Sequence, residues 1–152
     1  MEAASNLIKE LGRLIGLEAL ALDELGQCTL AFDESIVLTF VGDPDGGLNV
    51  VSFLGEVKAS QPGVTSMLLS RNFVPSDMGG ARVALEPESS RAVLVHRWDA
   101  ARCDFGQFQL QLEAFVNAVE ALRAEMDALP ATVPSAAATA ARADMPPPGS
   151  YI

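Results

Sequence analysis

The chain has 152 residues, of which 49% are hydrophobic and 20% charged, and its formal net charge is −10. This length suits one domain with a sizeable core. The acidic balance argues against nucleic acid as a partner, because a basic footprint supplies that affinity, and it argues equally against binding to an anionic membrane surface.

The N-terminal segment is predicted to form an amphipathic helix over residues 3–16. Its apolar side chains recur at spacings of one, three and four, which places them on one helical face: Leu7, Ile8, Leu11, Leu14 and Ile15. Ser5 and Asn6 are candidate N-caps. Gly12 is a mild weakness in the helix interior. Acids and a lysine interrupt the apolar residues, so the segment is not expected to be a signal peptide, and no apolar run reaches transmembrane length.

Five extended segments and two further helices follow the first helix. Apolar alternation in the extended segments indicates strands, and the short linkers "DE" and "DPDGG" between the first three indicate antiparallel hairpins. The last helix has an apolar seam with spacings of four and three, and Asp104 is its candidate N-cap. The predicted elements are strands at 28–32, 35–42 and 48–57, a short helix within 61–73, strands at 81–87 and 91–98, and a long helix over 104–129.

The order of these elements predicts the fold class. Alternating βαβ units are absent, which disfavours a parallel, doubly wound sheet. We expect an α+β domain over residues 1–129, with a twisted antiparallel sheet. Residues 130–152 are rich in alanine and proline and have little to bury, so they are predicted to be a flexible tail.

Four acids surround Cys28 and raise the question of a catalytic or metal site: Asp23, Glu24, Asp33 and Glu34. A calcium loop needs acids at alternate positions around a central glycine, and this spacing does not provide them. Cys28 is predicted to be a buried thiol on one strand face with Leu30 and Phe32. The two cysteines, Cys28 and Cys103, form no paired motif, which indicates a reduced, cytoplasmic protein.

His96 is the only histidine, and it shares a predicted strand face with Leu94 and Trp98. Nucleophilic catalysis would need a nucleophile within reach of this ring and a third group to orient it. The chain has no GxSxG elbow, no glycine-rich phosphate loop, and too few histidines and cysteines for a usual zinc site. We therefore predict no catalytic, metal-binding or cofactor-binding residues. A small enzyme or ligand carrier that uses His96 or Cys103 is the competing hypothesis.

The first helix leads into a motif that is carried by Leu14, Gly16, Leu17, Leu22, Asp23, Gly26, Cys28, Leu30 and Phe32. Further along, the stretch "MLLSRNF" places a Leu-Leu pair before Asn72. These motifs and the order of the elements resemble the class I type III secretion chaperones, the Tir-chaperone (CesT-like) family. The resemblance covers residues 3–128.

The resemblance implies a cytoplasmic homodimer of a bacterium that injects virulence effectors into host cells. Such a chaperone binds the N-terminal segment of a secreted effector in extended form, which keeps the effector soluble and competent for secretion. It uses neither ATP nor a cofactor itself, and a secretion ATPase is a further candidate partner. The alternative within the same fold is a protein that sequesters a secretion or transcription regulator.

Two sets of residues are assigned to these contacts. An extended partner can add to an open sheet edge and place its side chains beside the first helix. The candidate groove residues are Leu7, Leu11, Leu14, Leu30, Phe32, Ile36, Leu38 and Phe40. Each is equally compatible with the core, because the sequence does not orient the two faces. By resemblance, the dimer contact involves the second helix and the late strands, and we assign to it Met67, Leu68, Phe73, Val83, Leu85, Val95 and Trp98. For the short helix, burial in the core is the alternative.

Overall fold

A computed structural model of the protein describes residues 1–131, apart from the side chains of residues 75 and 76. The elements are α1 (Glu2–Leu14), β1 (Gln27–Phe32), β2 (Ile36–Gly42), β3 (Gly47–Glu56), α2 (Gly63–Arg71), a 3-10 turn (Pro75–Met78), β4 (Arg82–Leu85), β5 (Arg91–Asp99) and α3 (Phe105–Ala128). This arrangement confirms the predicted α+β class and the order of the elements. The tail predicted at 130–152 lies outside the described residues from position 132 onward.

The five strands form one sheet in the order β1-β2-β3-β5-β4, so β1 and β4 are its two edges. Every neighbouring pair of strands is antiparallel. The linker between β1 and β2 turns at Asp33 and Glu34, whose φ angles are 48° and 58°. Left-handed angles at two central residues are typical of a tight hairpin turn, which confirms the hairpin predicted from the short linker.

The core lies between one face of the sheet and the helices, with α3 packed on β3 and β5 and α1 packed on α3. Alternate strand residues point into this core, among them Cys28, as the sequence predicts for this thiol. The predicted seam of α3 is confirmed, since all of its residues are buried: Phe108, Leu112, Phe115, Val119, Leu122 and Met126. The opposite face of the sheet carries partly exposed side chains such as Val51 and Val95.

Trp98 ties β5 to α3. Its indole Nε1 donates a hydrogen bond to Oε1 of Gln111 (2.7 Å). Its ring meets the ring of Phe108 edge-on at a centroid distance of 4.9 Å and the ring of His96 at 4.5 Å. Only 3% of Trp98 is exposed, so this residue, which the sequence assigns to the dimer contact, lies in the core of the protomer.

The two long helices differ in how well the sequence predicts their starts. Asp104 caps α3, since its carboxylate accepts a hydrogen bond (2.9 Å) from the backbone N–H three residues later. The N-cap prediction for α1 is wrong, because α1 begins at Glu2 and both Ser5 and Asn6 lie inside it. Ala4 is fully buried, so tertiary packing extends the helix beyond the polar residues that look like caps.

Gly12 has a packing role that helix propensity does not indicate. The chain after α1 folds back on the helix, and the backbone N–H of Leu17 donates to the carbonyl of Gly12 (2.7 Å). A Cβ atom at Gly12 would lie 2.5 Å from the carbonyl oxygen of Leu17 and 2.8 Å from Cβ of Leu20. Real Cβ atoms essentially never approach neighbours this closely, so the segment after α1 needs glycine at this position.

We expect Gly12→Ala to lower the free energy of unfolding by about 1–3 kcal/mol, the usual cost of overpacking. Helix propensity alone predicts the opposite sign, a gain of roughly 1 kcal/mol. Urea denaturation followed by circular dichroism measures the change. Gly63→Ala is the matched control, because a Cβ atom at this position of α2 meets no other atom within 4 Å, and it should be neutral or stabilising. Equal changes in the two variants would contradict the packing role.

Candidate functional site

A groove lies between the end of α1 and the first half of α3, beside the last residue of β1. Its volume is about 360 Å³, and it is lined by Leu11, Leu14, Ile15, Phe32, Gln109, Leu112, Glu113, Val116 and Asn117. We call it the α1–α3 groove. Apolar side chains from all three elements form most of its lining, which suits a site that receives apolar side chains of another molecule.

α3 gives the α1–α3 groove a polar rim. Gln109, Glu113 and Asn117 follow one another at intervals of four, so they form one stripe along the helix. Nε2 of Gln109 donates to a carboxylate oxygen of Glu113 (3.1 Å). Leu112 and Val116 lie beside this stripe and also line the groove. The rim can therefore hydrogen-bond to a polar group of a partner, while the apolar part accepts its hydrophobic side chains.

An open edge of the sheet adjoins the α1–α3 groove. Among residues 1–131, β1 pairs only with β2, and Phe32 belongs both to this edge strand and to the lining of the groove. Edge strands present backbone N–H and C=O groups that can pair with an added strand. An extended segment that pairs with β1 would direct alternate side chains toward the helices, which is the geometry of β-strand addition.

Three of the eight predicted groove residues line the α1–α3 groove, namely Leu11, Leu14 and Phe32. Leu14 is 55% exposed, whereas Leu11 is almost fully buried. The other five belong to the core, with at most 6% of each residue exposed: Leu7, Leu30, Ile36, Leu38 and Phe40. These five offer little accessible surface in the protomer, and their assignment to a groove stays a prediction.

The sequence did not reveal the contribution of α3 to the groove. Ile15 belongs to the apolar face predicted for α1, so its place in the lining had a signal in the sequence. The lining residues of α3 had none, because periodicity identifies the side of this helix that packs on the sheet. The adjacent side, which includes Val116, becomes a site only because α1 packs next to it.

A second apolar surface lies at the opposite edge of the sheet. Its exposed side chains come from α2, the segment after it and β4: Leu69, Phe73, Val74 and Leu85. A small cleft of about 80 Å³ between α2 and β4 is lined in part by Leu69 and Leu85. We call this region the α2–β4 surface. Several large apolar side chains exposed in one region are typical of an interaction site.

Two of the seven predicted dimer residues, Phe73 and Leu85, belong to the α2–β4 surface, and Phe73 is 91% exposed. Met67 and Val95 are partly buried. The remaining three are core residues with little surface to offer a second copy: Leu68, Val83 and Trp98. The prediction omitted the other two exposed residues of this surface, because the sequence does not show which side of a short, apolar helix packs inward.

Burial shifts the pKa values of the three groups considered for catalysis. Burial raises the pKa of Cys28, and the charge of Asp23 raises it further. Burial also raises the pKa of Cys103, as do the neighbouring carboxylates. A thiol becomes a nucleophile when its pKa falls, so both cysteines are disfavoured in this role. Burial lowers the pKa of His96, which packs against Trp98.

The acids around Cys28 shape turns. The carboxylate of Asp23 accepts hydrogen bonds from the backbone N–H groups of Leu25 (2.9 Å) and Gln27 (2.8 Å). Asp33 and Glu34 form the turn between β1 and β2. Within residues 1–131, no three histidine, cysteine or acidic side chains are grouped so as to hold a metal ion. In the same part of the chain, no helix combines the length and hydropathy needed to cross a membrane.

Comparisons with known proteins bear on the family and the fold. The model of the Tir chaperone protein (CesT) family matches residues 6–123, which is most of the chain. No curated protein sequence matches the chain at a significant level.

Several solved structures have a similar fold. One is the ExsC–ExsE complex, with a TM-score of 0.70, 21% sequence identity, and coverage of 87% of this chain and 97% of that one. The Yersinia pestis type III secretion chaperone SycH, in complex with a fragment of YscM2, has a TM-score of 0.65 and 20% identity. The match covers 78% of this chain and 98% of that one. The HopA1–SchA chaperone–effector complex has a TM-score of 0.65 and 15% identity. The match covers 80% of this chain and 93% of that one.

Proposed function

The chain belongs to the Tir chaperone protein (CesT) family, and on this basis we propose that it is a cytoplasmic chaperone of a bacterial type III secretion system. It binds the N-terminal segment of a secreted effector in extended form, which keeps that segment soluble and competent for secretion. The observation that carries this proposal is the apolar α1–α3 groove beside the open edge of β1. The SycH–YscM2 and HopA1–SchA complexes support it.

The shape of the site explains why the bound segment is extended. Backbone hydrogen bonds to β1 require a strand, and in a strand the side chains of one face recur about every 6.6 Å. Backbone hydrogen bonds to β1 can form with segments of many different sequences. The α1–α3 groove selects segments with large apolar side chains at alternate positions. The net charge of −10 keeps the chain soluble while this apolar site is empty. Neither contact requires a nucleotide or a cofactor.

A second copy of the chain is the proposed occupant of the α2–β4 surface. Covering its apolar side chains favours association, and a self-complementary patch gives a two-fold dimer. The α1–α3 grooves stay free in such a dimer, because they lie at the other edge of each sheet. One effector segment could then contact two grooves, which increases its apparent affinity. A secretion ATPase is a further proposed partner, for which no surface is assigned.

The alternative function directs the same binding site at a secretion or transcription regulator. The chain would then sequester this regulator, and the identity of the captured protein separates the two functions. Neither function includes a catalytic step, and the raised pKa values of Cys28 and Cys103 support a role without covalent chemistry.

Co-purification from the native bacterium tests the proposed function. A tagged copy of the full chain should retain a secreted protein, and limited proteolysis followed by mass spectrometry should find its N-terminal segment protected. Recovery of a regulator would favour the alternative. Recovery of no partner, or protection of a folded C-terminal domain of the partner, would overturn the proposal.

A further inference from the structure

The β4 edge of the sheet is occupied by a side chain. On an edge strand, alternate residues direct both backbone groups away from the sheet. Val83 is such a residue in β4, because its N–H donates to Oδ1 of Asn72 (2.8 Å) and its C=O accepts from Nδ2 of Asn72 (3.0 Å). The amide of Asn72 therefore makes both hydrogen bonds that a neighbouring strand would make at Val83.

The preceding outward position on this edge is occupied as well. The N–H of Ala81 donates to the carbonyl of Met78 (3.1 Å), and the C=O of Ala81 accepts from Nη1 of Arg82 (3.2 Å). Ala81 directly precedes β4, and the outward residues of this four-residue strand are Val83 and Leu85, so the contacts at Ala81 and Val83 close the first part of this edge. A short edge strand with occupied backbone groups is a common protection against unwanted strand pairing.

In the part of the chain that the structure describes, the β1 edge is closed only at its start. The N–H of Gly42 donates to the carbonyl of Gly26 (2.8 Å), so the even-numbered residues here bond to β2 and the odd-numbered residues face outward. Gln27 is the first outward residue, and Asp23 hydrogen-bonds to both of its backbone groups. Its N–H donates to Oδ1 of Asp23 (2.8 Å), and its C=O accepts from the N–H of Asp23 (2.7 Å).

The remaining outward residues of β1 are open. Thr29 and Ala31 are exposed, and nothing within residues 1–131 hydrogen-bonds to their outward N–H and C=O groups. Phe32, which lines the α1–α3 groove, follows directly. The open part of the edge is thus bounded by Asp23 on one side and by the groove on the other.

We propose that Asn72 and Asp23 are positioning residues that fix where a partner segment adds to the sheet. Asn72 closes β4 at Val83, Asp23 closes the start of β1, and an added strand pairs with Thr29 and Ala31. This inference rests on the proposed binding of an extended segment and gives its register. The four outward groups suffice for a strand of about three to five residues, whose inward side chains enter the α1–α3 groove.

Asparagine suits this role because its amide carries both a donor and an acceptor. Alanine at position 72 would leave both backbone groups of Val83 free. Aspartate would keep the acceptor for the N–H of Val83 and lose the donor to its C=O. The two variants therefore open the β4 edge to different extents.

Amide hydrogen exchange of the full chain without a partner tests the role of Asn72. We expect slow exchange at Val83 and fast exchange at Thr29 and Ala31. Asn72→Ala should speed up exchange at Val83 by about tenfold or more, because the protecting acceptor is lost. Asn49→Ala is the matched control, since its side chain also donates to a strand carbonyl (3.3 Å), but between β2 and β3. Amide exchange at Val83 should stay slow in this control variant.

Asn72→Asp is a second variant that tests the role of Asn72 even if the alanine variant fails to fold. It retains the acceptor, so the amide of Val83 should exchange at a rate between those of the unaltered chain and Asn72→Ala. Fast exchange at Val83 in the unaltered chain, or the same rate in all three proteins, would overturn the role of Asn72.

The register is tested with the complex that co-purification recovers. Hydrogen exchange at the amides of Thr29 and Ala31 should become slow in this complex, while the exchange rate at Val83 should not change. If a secreted partner is retained but exchange at Thr29 and Ala31 stays fast, the chaperone function stands, and both the pairing with β1 and the proposed register are wrong. If no partner is retained, the proposed function fails, and exchange in the free chain still decides the role of Asn72.

Discussion

Replacing Leu14 with glutamate should weaken binding of the partner segment by about a hundredfold while the fold stays intact. Leu14 is 55% exposed at the α1–α3 groove, so a charge there leaves the core of the free protein undisturbed. In the complex, the lost apolar contact and the desolvation of the carboxylate together cost roughly 3 kcal/mol. Isothermal titration calorimetry with the segment recovered by co-purification measures the change in Kd.

Leu110→Glu is the matched control for this experiment. Leu110 lies on α3, is 69% exposed and does not line the α1–α3 groove. Each variant adds one negative charge to an already acidic chain, so a general electrostatic effect would weaken binding equally in both. Equal losses, or full affinity in Leu14→Glu, would show that the segment binds elsewhere.

Phe73→Glu should convert the proposed dimer into a monomer. Phe73 is 91% exposed in the protomer, and a two-fold axis would bring its side chain to the interface from both copies. The substitution therefore removes two apolar contacts and places two charges in the interface, where each would be desolvated. Light scattering should give a mass of 16.0 kDa for the variant and twice that mass for the unaltered chain.

Leu25→Glu provides the comparison for the dimer prediction. Leu25 is 79% exposed, but it lies in the turn before β1, at the other edge of the sheet. We expect this variant to remain dimeric. A mass of 16.0 kDa for the unaltered chain would contradict the proposed dimer outright.

The sequence predicts well those parts of the fold that depend on local periodicity and local capping. The seam of α3 follows from spacings of three and four, and the Asp104 cap needs only residues of the same turn. The hairpin between β1 and β2 follows from a linker too short for any other connection. Each of these features is fixed by interactions within a few positions along the chain.

The site depends on contacts between distant segments, and the sequence does not contain these directly. Leu14 and Leu38 look alike as members of apolar faces, yet one is exposed at the groove and the other is fully buried. Which of them is accessible depends on how the helices cover the sheet. The same limit applies to Gly12, whose role depends on the return of the chain at Leu17. It applies also to Asn72, whose partner lies eleven residues away.

Trp98 gives the protein an internal optical probe. It is the only tryptophan, and Gln111 and Phe108 of α3 hold its ring, while the adjacent side of the same helix lines the α1–α3 groove. Fluorescence emission from a buried indole depends on its immediate surroundings. The emission should therefore change if α3 shifts during binding and stay constant if the partner enters a preformed groove. Unlabelled protein would then distinguish induced fit from binding to an existing conformation.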